Sequence, residues 1–97
     1  MRIIARKTLR EFWEKHLDAC QQLQSWYADV KHVTWISPAD VKGVYQNASF
    51  LANNRVVFNI KGNRYRIIVV VQYHYEVVYI CFVGTHKEYD RIDAGTI

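Results

Sequence analysis

The sequence is poor in the features that mark several protein classes. Its longest run of apolar residues is IIVVV at 67–71, which is far too short to cross a membrane. It has only two cysteines, which do not make a disulfide framework, and no signal-peptide pattern. We therefore expect a cytoplasmic protein with no membrane association. It also lacks repeats, glycine-rich nucleotide loops and serine-nucleophile motifs, which argues against the enzyme classes built on them.

Metal ligands are scarce as well. No pair of the four histidines has metal-ligand spacing, and both cysteines fall in apolar patterns, so we expect neither a metal site nor a cofactor. His16 lies on the apolar side of a helical pattern and is interpreted as a residue at the edge of the core. Glu88 and Asp90 are interpreted as helix-capping and solvated residues rather than as an acid pair.

The chain is long and apolar enough for one folded domain. It has 97 residues, of which 51% are hydrophobic, so we expect a single domain over residues 1–97. A short apolar segment at 1–5 predicts a strand, and Thr8 with Glu11 has the form of a capping box at a helix start. Two helical patterns follow, and they fit either one long helix or two helices joined near Leu17. Ser37-Pro38 then predicts a third helix that ends at about residue 45.

From residue 55 the apolar period changes from helical to alternating. Residues 56–60 alternate as in a strand, Gly62-Asn63 is a hairpin signal, and the segments 64–73 and 75–83 predict two further strands. Thr85-His-Lys-Glu88 is a second capping box, which predicts a short terminal helix. The order predicts an α+β domain in which an N-terminal strand and helices pack on an antiparallel sheet.

The positive charge is concentrated in one segment. Residues 55–66, RVVFNIKGNRYR, hold four Lys or Arg and no acid, while the rest of the chain carries nine basic and nine acidic residues. The whole excess charge of +4 therefore lies in this hairpin. A localised basic patch indicates a polyanionic partner, of which nucleic acid is the commonest.

The predicted hairpin brings these cations together. A two-residue loop places Lys61 opposite Arg64 and Asn59 opposite Arg66, and strand alternation then points all four side chains to one face. Like charges placed opposite each other destabilise a sheet, so folding alone does not favour this arrangement. One interpretation is a solvated strand end. The other is an anion site in which two guanidinium groups bind a phosphate.

The segment FVGTHKEYD, residues 82–90, completes this candidate site. Antiparallel order places the end of its strand beside Arg64 and Arg66. His86 and Tyr89 are three residues apart and share one side of the first helical turn, near the partial positive charge of the helix N-terminus. Each of the two is, by itself, more simply explained as a surface or packing residue. Together with the cations they form a candidate site in which His86 can act as a general base.

VVFNIKGNRYRIIV followed by FVGTHKEYD resembles the HigB branch of the RelE-like toxins of bacterial type II toxin–antitoxin modules. The resemblance covers nearly the whole chain, including RKTLREFWEKH and SPADVKGVY. It implies a microbial-ribonuclease-like fold and an endoribonuclease that cleaves mRNA in the A site of the 30S ribosomal subunit, which inhibits translation. It also implies a HigA-like helix-turn-helix antitoxin as partner, through which operator DNA is bound only indirectly.

The resemblance also implies residue roles. Three cations correspond to the phosphate-binding residues of the family: Lys61, Arg64 and Arg66. His86 and Tyr89 correspond to its C-terminal catalytic pair. Asn59 and Arg55 are expected to add RNA or ribosome contacts. The implied chemistry uses the 2′-hydroxyl of RNA as the nucleophile and needs no metal, with a 2′,3′-cyclic phosphate as product. Which of His86 and Tyr89 is the base and which the acid stays open.

Two other functions fit the same patterns. A strand-rich domain with a basic hairpin can bind double-stranded RNA without cleaving it. The cations can also meet an acidic protein partner in an interaction domain. RNA binding that survives loss of His86 would indicate the first of these functions, and a complete lack of effect on RNA would indicate the second.

Overall fold

The computed structural model describes residues 1–97 as five strands and four helices. In chain order they are β1 (Arg2–Ile4), α1 (Arg6–Lys15), α2 (Leu17–His32), α3 (Pro38–Val44), β2 (Ser49–Leu51), β3 (Arg55–Ile60), β4 (Tyr65–Gln72), β5 (Val77–Thr85) and α4 (His86–Tyr89). The strands form one sheet in the order β1-β5-β4-β3-β2. This confirms the predicted α+β class, with β4 at the centre of the sheet. None of the helices is both long and apolar enough to cross a membrane.

Two features of the sheet edges were not predicted: the pairing of β1 and the presence of β2. β1 runs parallel to β5, whereas the other neighbouring strands are antiparallel. The edge strand β2 has only three residues and pairs with the first half of β3, at 55–57. Its sequence, SFL, is too short to show an alternating pattern, which is why no strand was predicted there.

The N-terminal helical region contains two helices. His16, with φ −124° and ψ 78°, interrupts the helix between α1 and α2. The predicted cap at Thr8 is wrong: α1 begins at Arg6, after Ala5 in the left-handed conformation, and the Thr8 N–H already donates to the Ala5 carbonyl at 3.1 Å. Leu17, the first residue of α2 after this break, is 78% exposed.

The third helix starts as predicted but is capped differently. Ser37 is extended and Pro38 occupies the first turn of α3, which ends at Val44. The Ser37 side chain makes no capping hydrogen bond. Instead, the Asp40 carboxylate accepts a hydrogen bond of 2.8 Å from the Ile36 N–H.

The core lies between the helices and one face of the sheet. Its largest side chains are aromatic: Trp26 and Trp35 contact Phe58 of β3, with ring centroids 5.4 and 6.1 Å apart. Leu9 of α1, Leu23 of α2 and Ile67 of β4 are fully buried in the same cluster, so both long helices pack on the sheet. This packing fixes the first turn of α2 near one end of the sheet.

The β3–β4 hairpin has the predicted register. Asn59 pairs with Arg66, and the assigned strands stop at the next pair toward the loop. The Arg64 N–H donates to the Lys61 carbonyl at 3.3 Å, which closes the tight turn around residues 62–63. Lys61 has φ 53° and Gly62 has φ 64°. Lys61 therefore leaves the strand conformation, and the alternation of faces cannot be extended to it.

Candidate active site

The terminal helix α4 is fixed to the end of β5 by the predicted capping box. The Thr85 hydroxyl accepts a hydrogen bond from the Glu88 N–H at 3.1 Å, and the Glu88 carboxylate accepts one from the Thr85 N–H at 2.8 Å. The Thr85 N–H hydrogen bond is the main cause that lowers the pKa of Glu88. This carboxylate therefore stays ionised and holds α4 in place.

The hairpin turn and α4 are in direct contact. Arg66 pairs with Gly84 across the β4–β5 ladder, as antiparallel order predicts. The His86 N–H donates to the Arg64 carbonyl at 2.9 Å. A Cβ at Gly84 would lie 2.5 Å from the Phe82 ring, so the strand needs a glycine here to place this ring beside α4.

The predicted grouping of the four polar hairpin residues on one face is wrong. Arg64 Nη1 lies 2.9 Å and Lys61 Nζ 3.5 Å from Oδ2 of Asp18, in the first turn of α2. Arg66 points to the opposite face of the sheet, away from the core that faces the helices. The cause is the turn itself, because the left-handed backbone at Lys61 and an ionised carboxylate on α2 draw the two turn cations away from Arg66.

Asp18 is the residue of this region that sequence reasoning missed. It accepts a hydrogen bond of 2.6 Å from the Tyr65 hydroxyl as well as the bond from Arg64. The Tyr65 bond, followed by the Arg64 bond, lowers the pKa of Asp18 to about 2. The same contact raises the pKa of Tyr65. Asp18 is 46 residues from Arg64 in sequence, so no local pattern could have revealed the pair.

Arg66 and Tyr89 form a second group. The Arg66 guanidinium carbon lies 4.5 Å from the centroid of the Tyr89 ring, a cation–π contact. Its Nη2 donates to the Asn63 side-chain oxygen at 2.8 Å, and its buried Nε has no hydrogen-bond partner. Arg66 makes no ion pair, so of the three predicted cations it is the one whose charge no carboxylate neutralises. Asn59, its partner across the hairpin, is exposed.

His86 has a carboxylate partner that was not predicted. Its Nδ1 lies 3.0 Å from Oδ2 of Asp90, and both side chains are substantially exposed. The Asp90 N–H also donates to the His86 carbonyl at 3.0 Å. Asp90 follows α4 as its C-cap and is exposed, as expected, and the contact with His86 adds to that role. Nδ1 of the imidazole therefore contacts a carboxylate, and Nε2 is the ring nitrogen that this contact leaves available.

His16 lies on the helix side of the same region. Its ring stacks on Phe12 with centroids 4.1 Å apart and meets the Tyr65 ring edge-on at 5.6 Å. It is partly buried, as expected for the edge of the core. The Tyr65 that it contacts pairs with Thr85, directly before α4.

Arg55 does not join the site. It begins β3, at the opposite end of the strand from the turn. Its Nε and Nη2 both donate to the backbone oxygen of Ile97, at 3.1 and 2.6 Å. The structure therefore separates Arg55 from the other predicted residues.

The assembled groups lie on an open surface. The three concavities of the molecule are lined by residues of α2, α3 and β3 and the segments beside them, and Asn59 is the one predicted site residue among them. His86, Tyr89 and Arg66 offer an imidazole, a phenol and a guanidinium, which can transfer protons and bind an anion. Such a surface can receive a segment of a polymer and offers no enclosed pocket for a small molecule.

Comparison with known proteins identifies related chains. Residues 19–92 match the HigB_toxin family model, described as the RelE-like toxic component of a toxin-antitoxin system. The chain is 30% identical to the mRNA interferase toxin HigB of Escherichia coli K12, over 97% of this chain and 92% of that protein. The mRNA interferases HigB of Escherichia coli O157:H7 and Shigella flexneri match to the same extent.

Proposed function

The chain belongs to the HigB family of RelE-like toxins, and from this membership we propose that it is an mRNA endoribonuclease. In this proposal it is the toxin of a type II toxin–antitoxin module, and cleavage of mRNA inhibits translation. The observation that carries the proposal is the position of α4. Its capping box and its contact with the hairpin turn bring His86 and Tyr89 to the same end of the sheet as Arg66.

The proposed chemistry uses RNA as the source of its own nucleophile. His86 removes the proton of a 2′-hydroxyl, and the oxygen attacks the adjacent phosphorus in line with the 5′-oxygen that leaves. The leaving oxygen takes a proton from Tyr89 or from the protonated His86. The bond between phosphorus and the 5′-oxygen breaks, so the products are a 2′,3′-cyclic phosphate and a 5′-hydroxyl.

The cations have different roles in this mechanism. Arg66 makes no ion pair and stacks on Tyr89, so its guanidinium is the one best placed to stabilise the charge that develops on the phosphate. Lys61 and Arg64 share the Asp18 carboxylate and are assigned to flanking phosphates, where their attraction for RNA is partly neutralised. Asn59, exposed beside Arg66, is assigned an RNA contact. Arg55 is not assigned one, because it binds the Ile97 carbonyl.

The ribosome is the proposed platform for cleavage. The candidate site is an open surface, on which a second body can help to hold the RNA in line for attack. The A site of the 30S subunit is the position implied by the resemblance to RelE-like toxins. The proposed antitoxin is a HigA-like helix-turn-helix protein, and operator DNA is reached only through it. All of these partners place the protein in the cytoplasm.

Tightly controlled expression in bacteria tests the function. Wild-type protein should arrest growth and produce RNA fragments with cyclic-phosphate ends, located by sequencing. His86→Ala and Arg66→Ala should each abolish growth arrest and cleavage without a large change in melting temperature. The exposed neighbour Lys87 provides the control, because Lys87→Ala should behave as the wild type.

Two outcomes would redirect the proposal. A His86→Ala protein that still arrests growth and cleaves would remove His86 from the mechanism. RNA binding that survives His86→Ala and Tyr89→Phe, with no cleaved ends in any variant, would indicate an RNA-binding module that uses the basic hairpin.

A further inference from the structure

We propose that Asp90 is a positioning residue for His86, whose carboxylate holds the Nδ1 nitrogen and leaves Nε2 to exchange a proton with the substrate. The inference deepens the proposed function and rests on it for the catalytic consequence. The arrangement of the imidazole can be measured whether or not the protein cleaves RNA.

The geometry defines which ring nitrogen is available. Asp90 Oδ2 lies 3.0 Å from His86 Nδ1, a hydrogen-bond distance. An ionised carboxylate only accepts hydrogen bonds, so Nδ1 must be the donor. A neutral imidazole has one N–H, so Nε2 then carries the lone pair that a general base requires. A carboxylate that selects the histidine tautomer in this way also stabilises the imidazolium formed when the base takes a proton.

Backbone hydrogen bonds hold Asp90 in position next to His86. Asp90 follows α4, and its N–H donates to the carbonyls of both His86 and Glu88. The chain is thus wound into a helical turn over residues 86–90, and side chains four residues apart lie on the same side of that turn. The capping box fixes the start of this turn, where His86 lies, and the Asp90 N–H hydrogen bonds fix its end.

The one carboxylate within α4 cannot replace Asp90. Glu88 accepts the Thr85 N–H at 2.8 Å and is engaged in the capping box. The other charged residue of α4, Lys87, is exposed and has no carboxylate partner. From the hairpin, Arg64 reaches His86 through its backbone carbonyl, while its guanidinium is paired with Asp18. Arg66 is stacked on Tyr89.

The contact contributes little to folding, which makes its role testable. The His86 and Asp90 side chains are 42% and 59% exposed, and exposed pairs of this kind add little to stability. We therefore expect Asp90→Ala and Asp90→Asn to melt close to the wild type. A loss of activity in these variants then reports on the imidazole and not on unfolding.

Nitrogen-15 NMR of the His86 ring tests the positioning directly. At a pH above the imidazole titration, the wild-type protein should show His86 with its proton on Nδ1. Asp90→Ala should lose this preference and populate the Nε2–H form, whereas Asp90→Asn, which retains a neutral acceptor, should fall between the two. A wild-type His86 protonated on Nε2, or the same tautomer in Asp90→Ala as in the wild type, would overturn the proposal.

Cleavage kinetics test the catalytic consequence. On ribosomes carrying a defined message, Asp90→Ala should cleave roughly 10- to 100-fold more slowly, the size of effect seen when a carboxylate that orients a metal-bound histidine is removed. Asp90→Asn should recover part of this loss. Glu11→Gln, which removes another carboxylate from an exposed pair four residues apart, should cleave as the wild type. An unchanged rate in Asp90→Ala overturns the proposal, and absence of cleavage by the wild type instead refutes the proposed function.

Discussion

At the scale of single residues, the carboxylate of Asp18 joins α2 to the hairpin through Tyr65, Arg64 and Lys61. Two of the three predicted cations, Lys61 and Arg64, are therefore held in an internal ion-pair network, and Arg66 is the predicted cation that makes no ion pair. The sequence showed where the positive charge lies, but not which cations are neutralised. That depends on one aspartate far away in the chain and on the left-handed backbone at Lys61, neither of which has a local signature.

The Asp18 network predicts a specific pH dependence of stability. A carboxylate whose pKa falls from 3.8 to about 2 on folding stabilises the native state above pH 3.8, and this contribution is lost as the pH falls toward 2. Asp18→Asn should therefore unfold more easily than the wild type at pH 7, and the difference in free energy of unfolding should shrink between about pH 4 and pH 2. Urea unfolding at several pH values measures this difference.

Glu88 does not disturb the comparison of the wild type with Asp18→Asn. Glu88 also has a lowered pKa, but both proteins carry it, so its contribution cancels in the difference. A wild-type advantage that stays constant or grows as the pH falls would show that Asp18 is not the ionised partner of these donors.

At the scale of elements, the junction between β5 and α4 determines the geometry of the site. The capping box at Thr85 was predicted correctly because its two partners are local and follow a strand that ends there. The same pattern at Thr8 was misleading, since α1 had already begun at Arg6. A two-residue motif does not define the backbone before it, and that backbone decides whether a threonine can act as a cap.

The junction between β5 and α4 requires glycine at position 84, and substitution of Gly84 tests this requirement. A Cβ there would lie 2.5 Å from the Phe82 ring and 3.2 Å from the Glu88 carboxylate, so Gly84→Ala must displace the ring or the capping box. We expect a loss of about 1–3 kcal/mol in the free energy of unfolding, typical of overpacking. Cleavage should fall further than stability alone explains, because α4 carries His86. Thermal and urea unfolding together with cleavage assays measure both effects.

Gly43 supplies the matched control for this substitution. It lies in α3, and apart from its chain neighbours and the backbone of the helix itself no atom stands within 4 Å of the position that an added Cβ would take, so the new methyl group meets open space. Gly43→Ala should raise stability by about 0.5–1 kcal/mol through helix propensity and leave cleavage unchanged. If both alanine variants behaved alike, the close approach at Gly84 would have no role in positioning α4.

At the scale of the whole molecule, the site is assembled from segments that are distant in sequence. The α+β order and the hairpin register were predictable because apolar periodicity and turn residues are local signals. The match to the HigB family confirms the resemblance drawn from the hairpin and the THKEYD segment. The parallel β1–β5 pair and the division of the cations were not predictable, because both depend on how α1 and α2 pack across the sheet.

In the proposed mechanism, α4 and Arg66 form a ribonuclease site in which the RNA 2′-hydroxyl is the nucleophile. The most direct test adds purified protein to ribosomes translating a defined message and determines the chemistry of the new RNA ends. We expect 2′,3′-cyclic phosphate and 5′-hydroxyl ends with the wild type, and none with His86→Ala. Fragments with a 5′-phosphate, or equal cleavage by His86→Ala, would contradict this mechanism.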